Sequence, residues 1–150
     1  SAMNLLERNG EYGVFENLKK NAVKVSFSDL SEYSTSKTIY AVNTYNRYGR
    51  RVIMINSAFK NAPVEQIACL IAHESCHVAR HATLEEETIA TQKEAECWTK
   101  LKVASTTYPQ TKLTKRLDKI AGLYMASDSN TNRIHDKIAS SGFYQLQFGM

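Results

Sequence analysis

The stretch His73-Glu74-Ser75-Cys76-His77 has the form H-E-x-x-H. Two histidines four residues apart share one face of a helix, so both imidazoles can reach a single ion. The glutamate between them is placed to take a proton from a water on that ion. A catalytic zinc takes three protein ligands and keeps a position for water. The chemistry implied is hydrolysis of a peptide bond by activated water, with Zn2+ held by His73 and His77 and with Glu74 as general base.

The surrounding residues predict the helix this chemistry needs. Ala62-Pro63-Val64-Glu65 reads as its start, with Pro63 near the first helical position and Glu65 in the first turn. No glycine or further proline follows before Arg80. Ile67, Leu70, Ile71, Glu74 and Val78 form one stripe, and Ala68, Ala72, Ser75 and Ala79 a small-residue side. A helix apolar nearly all round is buried, and polar groups on it need a use.

A third ligand is sought downstream. His81 continues the i, i+4 series but lies roughly 12 Å along a straight helix from His73, at 1.5 Å per residue. Cys76 projects about 100° from His77. Thr83-Leu84-Glu85-Glu86 fits a capping box opening a second helix to about Val103, with Glu86 reaching back to the cap. On that helix Glu87, Thr91 and Glu94 share the face of Leu84, Ala90, Cys97, Trp98 and Leu101, whereas Glu85 and Glu96 point away. A short connection near Ala82 makes the helices antiparallel. His77 then faces the level of Glu87 and His73 the level of Thr91. Glu87 is the leading third ligand and Glu94 the second candidate. Partners for the histidine Nδ1 atoms are expected, and Thr91 and Glu94 sit near that level.

With these residues in hand the chain resembles the gluzincin zinc metallopeptidases, in particular the compact minigluzincins. Such peptidases pair an H-E-x-x-H helix with a downstream glutamate helix, often E-x-x-A followed by Asp or Asn. Here the first part matches fully, and Glu87-Thr88-Ile89-Ala90 matches the second, with Thr91 where the Asp or Asn would stand. The spacing is short for the class and suits a minimal two-helix hairpin. The resemblance spans roughly residues 37–103. It implies a peptide or protein substrate that adds as a further strand to an edge strand above the metal helix. Val52–Asn56 is the nearest strand in sequence and the candidate for that edge, with a central core strand as the equal alternative, since strand order is not read from sequence.

The fold class expected is α+β, in a single domain covering residues 1–150. Residues 4–20 read as a helix interrupted by Gly10 and Gly13. Residues 23–27, 38–42 and 51–55 read as strands, with Asn43 to Arg50 as a hairpin connection. They make a small antiparallel sheet ahead of the two-helix zinc hairpin. C-terminal helices follow at 112–125 and 132–140, and Phe143-Tyr144-Gln145-Leu146 reads as a tail packing on the core.

Composition is that of an ordinary globular chain, with a net charge of +4. Lys112, Lys115, Arg116 and Lys119 make a local basic face, read as solvated because no nucleic-acid motif accompanies it. No nucleic-acid partner and no membrane span are expected. The three cysteines, Cys69, Cys76 and Cys97, lie on the two helices and read as small core residues. Ser1-Ala2-Met3 reads as the remnant of a cleaved tag, so a missing leader fixes no compartment. Tyr108, Tyr124, His135 and Tyr144 are the candidates for stabilising an oxyanion, and none is singled out. Two rival readings are a zinc-stabilised binding or regulatory domain without turnover, and a helical protein without metal.

Overall fold

The computed structural model describes residues 1–8, 12–33, 39–77 and 83–141. It is an α+β fold of six helices and one three-stranded sheet among the described residues. In chain order the elements are α1 (Ala2–Arg8), α2 (Tyr12–Lys20), β1 (Lys24–Ser28), β2 (Ala41–Tyr45), β3 (Arg51–Asn56), α3 (Val64–Ser75), α4 (Leu84–Leu101), α5 (Lys112–Met125) and α6 (Arg133–Ala139). His81, the connection near Ala82, Gly10, Thr38 and the Phe143–Leu146 tail with Tyr144 lie outside the described residues. No helix among the described residues is long and apolar enough to cross a membrane.

The sheet is mixed, not antiparallel, and its order is β1-β3-β2. β2 and β3 form the expected antiparallel hairpin, with Tyr45 opposite Arg51 and Ala41 opposite Ile55. The turn closes through Asn46 N donating to Arg50 O and Gly49 N to Asn46 O, and Gly49 takes a φ of 76° there. The hairpin therefore begins three residues later than residues 38–42 suggested. β1 pairs in parallel with the far side of β3, Val25 opposite Ile53 and Phe27 opposite Ile55. Val52–Asn56 is consequently the central strand, which overturns its reading as the edge. The physical reason lies in the side chains. β3 carries the fully buried Ile53 and Ile55, which gain most from being covered. β2, with Asn43 and Thr44, is suited to an edge.

α3 is the core helix. Every residue from Gln66 to Ser75 is buried, and the helix touches α1, α2, β2, β3, α4 and α5. Ala68 and Ala72 have no exposed surface, which lets neighbours approach closely. α4 starts on Thr83, whose Oγ1 accepts from Glu86 N at 3.0 Å. Trp98 anchors it, fully buried, with Nε1 donating to Asp118 on α5 at 2.9 Å and Tyr108 packed edge-on at 5.0 Å. α5 buries Leu113, Leu117 and Ile120, and Thr111 caps it by accepting from Thr114 N.

α3 ends earlier than Arg80. Its α-helical turns stop at Ser75, and the chain tightens so that Cys76 N donates to His73 O and His77 N to Glu74 O, both at 3.1 Å. Such i to i−3 bonds are common where a helix closes. They turn His77 in toward α4.

Candidate metal centre

α3 and α4 run antiparallel. His77, just past the end of α3, lies against Glu86 and Glu87 at the start of α4, whereas His73 also reaches Glu94 two turns on. This register brings His73, His77 and Glu87 together. His73 Nε2 is 3.1 Å from Glu87 Oε1, His77 Nε2 is 3.2 Å from Glu87 Oε2, and the two Nε2 atoms are 3.1 Å apart.

Those separations test whether an ion fits. Ligand atoms at 2.0–2.1 Å from a tetrahedral zinc stand roughly 3.3 Å from one another. The two Nε2 atoms stand near that edge length, each has a different oxygen of Glu87 beside it at 3.1 and 3.2 Å, and nitrogen, nitrogen and carboxylate oxygen form a donor set that zinc takes. The other face of each ring is held as well. His73 Nδ1 donates to Glu94 at 2.8 Å and His77 Nδ1 to Glu86 at 3.0 Å. With both Nδ1 atoms donating to carboxylates, both Nε2 atoms are left facing Glu87 and each other. Three electron-rich atoms converge only around positive charge, a metal or protons.

The titration behaviour follows from this. Burial disfavours the His73 imidazolium, but hydrogen bonds to Glu87 and Glu94 and the charge of Glu94 outweigh it, and the pKa stands well above that of free imidazole. His77 is raised too, burial opposed by Glu87 and Glu86. Glu87 is burdened by burial, yet its bonds to both histidines hold its carboxyl far below the usual range. Glu74 is buried, which raises its pKa against the opposing pull of His73 and His77.

Glu94, the second candidate for the ion, faces the opposite nitrogen of His73. It has no exposed surface. Burial works against its charge, and Arg116 overcomes that, leaving a pKa of about 2. Arg116 Nε and Nη2 donate to the two Glu94 oxygens at 2.9 and 2.8 Å, with the guanidinium 5.2 Å from the Tyr40 ring. Arg116 is therefore not part of a solvated basic face, although Lys112, Lys115 and Lys119 are exposed. Its position signalled this: it stands three residues after Leu113 and four before Ile120, on the apolar side of α5. Glu86, given to the helix cap in the sequence, also carries the His77 bond. Three consecutive glutamates in one first turn exceed what a cap needs.

Asn43 was missed. Its Nδ2 donates to the carbonyls of Glu74 at 2.6 Å and His77 at 3.1 Å, tying the end of α3 to β2. Read from sequence, Asn43 falls in the hairpin connection, where Asn is an ordinary residue, so nothing there singles it out. Asn43→Ala is expected to lower stability by about 2 kcal/mol, since two helix-end carbonyls lose their donor. Asn43→Asp, which presents a carboxylate to the same carbonyls, should cost at least as much. Denaturant unfolding of the two variants checks this, and an unchanged midpoint would contradict it.

A cleft of about 580 Å³ opens over the three groups. Glu74, Thr91 and the metal candidates form one wall, residues 39–43 another, and Ile120, Leu123, Ile134 and Ile138 an apolar third. Tyr40 stands in this cleft, its phenol pKa raised by burial. Of the sequence candidates for an oxyanion donor, Tyr108 is buried and its hydroxyl accepts from Val103 N. His135 sits against Asp136, and neither it nor Tyr124 lines the cleft. Among the described residues His73, His77 and Glu87 are the group of three able to hold one ion. Comparison with protein-family models, with curated proteins and with solved structures finds no match.

Proposed function

We propose that this protein is a zinc-dependent peptidase of the gluzincin type. The observation that carries the reading is the convergence of His73 Nε2, His77 Nε2 and the Glu87 carboxylate beside Glu74 in an open cleft. His73, His77 and Glu87 would hold the ion, and Glu94 and Glu86 orient the two rings. When bound, zinc would supply Lewis-acid activation of a water and of the substrate carbonyl. Glu74 takes the proton of the attacking water and delivers it to the leaving amine. Its burial favours a carboxylate able to accept and release that proton.

The substrate backbone adds to β2, not to Val52–Asn56. β2 pairs only with β3 among the described residues, and its first three residues line the cleft. A peptide on this edge gains main-chain hydrogen bonds whatever its sequence, while alternate side chains enter pockets. The apolar wall of Ile120, Leu123, Ile134 and Ile138 suits a large apolar side chain.

Metal analysis tests the first step. One zinc per chain is expected after reconstitution, with peptide cleavage lost on chelation. Glu87→Ala should weaken zinc by more than the 10- to 100-fold that loss of an orienting partner costs, and Glu86→Ala should fall within that range. Zinc affinity should also climb with pH. The raised His73 and His77 pKa values keep protons on the ligands above the ordinary imidazole value of 6.5, so the ion must displace them. Affinity that levels off below neutrality, or a chain that takes up no zinc, contradicts the proposal.

A further inference from the structure

We propose that the hairpin end of the sheet, built by Lys24, Arg47, Arg50 and Arg51 with Tyr45 and Tyr48, docks an acidic segment of a peptide substrate. The inference rests on the peptidase reading for its meaning, but the surface is distinct from the metal cleft. β1 and β3 run parallel, so Lys24 and Val52 stand side by side at this end, and Tyr45 faces Arg51 across the hairpin. Lys24, Arg50 and Arg51 line a second cleft of about 590 Å³ together with Tyr48.

The charge that its own segments bring to this end is one-sided. The two chain segments that supply this end, residues 17–28 and 33–64, contain no Asp or Glu. Tyr45 and Tyr48 are 61% and 73% exposed, unusually bare for aromatic side chains. Each carries an arginine: Arg47 lies 4.8 Å from the Tyr48 ring centre and Arg51 5.6 Å from that of Tyr45. Stacking uses the flat face of the Arg47 guanidinium and leaves N–H donors at its rim for a carboxylate, whereas Arg51 Nη2 also donates to the Tyr45 hydroxyl at 3.4 Å.

β2 leads from this cluster to the metal site. Asn43 touches the end of α3, and Tyr45 follows two residues later, about 7 Å at 3.4 Å per residue. A peptide lying along the β2 edge would pass from the metal cleft directly to the basic end. The basic end therefore favours acidic residues a few positions from the bond to be cut and sets the register of the chain. A compact cluster of this kind fits a short acidic peptide, whereas single-stranded nucleic acid is held by a groove that tracks its backbone.

The test uses the full chain with Glu74→Gln, so that binding is read without turnover. Fluorescence anisotropy compares a Glu-rich peptide of about a dozen residues, its Gln-rich counterpart and an oligonucleotide of similar length. The acidic peptide should bind more tightly than the neutral one, and the difference should shrink at high salt. Adding Lys24→Ser, Arg47→Ser and Arg50→Ser should weaken acidic-peptide binding about ten-fold, with zinc content unchanged. In the active chain the same three changes should bring the ratio of acidic to neutral cleavage toward one. Equal binding of the two peptides, no response to the triple change, or tighter binding of the oligonucleotide overturns the proposal. A chain that prefers the acidic peptide but never cleaves one would leave this site standing and remove the peptidase reading instead.

Discussion

Glu74→Gln is expected to hold zinc like the parent chain and to lose about 10²- to 10⁴-fold in peptide turnover, the usual contribution of a positioned acid–base group. The argument separates charge from shape. Gln occupies nearly the same volume in a site that is 9% exposed, so packing of α3 is preserved. The ligand groups are His73, His77 and Glu87, whose contacts do not run through the Glu74 side chain. Only the proton acceptor disappears. Elemental analysis and cleavage of a diverse peptide library, run on the same preparation, read the two properties apart. Loss of zinc would make Glu74 a ligand, and full activity would remove it from the chemistry.

Glu94→Ala should be the most destabilising single change near the site, by about 3 kcal/mol, the low end for breaking a buried pair, because the stranded Arg116 is 30% exposed and regains some water. Glu94 has no exposure and binds both Arg116 and His73. Zinc affinity should fall 10- to 100-fold as the His73 ring loses its anchor. The two effects separate in the double variant Glu94→Ala with Arg116→Met. Removing the stranded charge should recover part of the stability and none of the metal affinity. If both properties recover together, Glu94 acts through folding alone.

The same pair sets an acid response. The Glu94 pKa is depressed to about 2 from 4.5. Its contribution is therefore complete above pH 4.5 and is lost as pH falls toward 2. Glu94→Gln, which no longer titrates, should flatten that part of the stability profile.

Much of the centre was written in local sequence. The i, i+4 spacing of His73 and His77, the apolar surroundings of α3 and the shared face of Glu87 and Glu94 on α4 are properties of helices, and helical periodicity is read along the chain. The short connection implied antiparallel helices, and that placed Glu87 level with His77; that the same carboxylate also reaches His73 is a finding of the structure. What the wheel missed was the tightening after Ser75, because an i to i−3 closure is set by what surrounds the helix end, here Asn43 reaching in from β2.

Strand order, by contrast, was decided only in three dimensions. Residues 51–56 look the same in sequence whether central or at an edge, and the parallel pairing of β1 to β3 depends on which face of the hairpin the core leaves open. That choice moved the free edge to β2 and so moved the expected substrate path. Glu94 stood at the right level to hold a histidine Nδ1, and it does hold that of His73, but its pairing with Arg116 was not read from sequence, since that residue lies 22 positions away on a third helix. Sequence determines which residues share a face of one element. Which faces meet is settled by burying the largest apolar area with every charge paired, a condition on the whole chain at once.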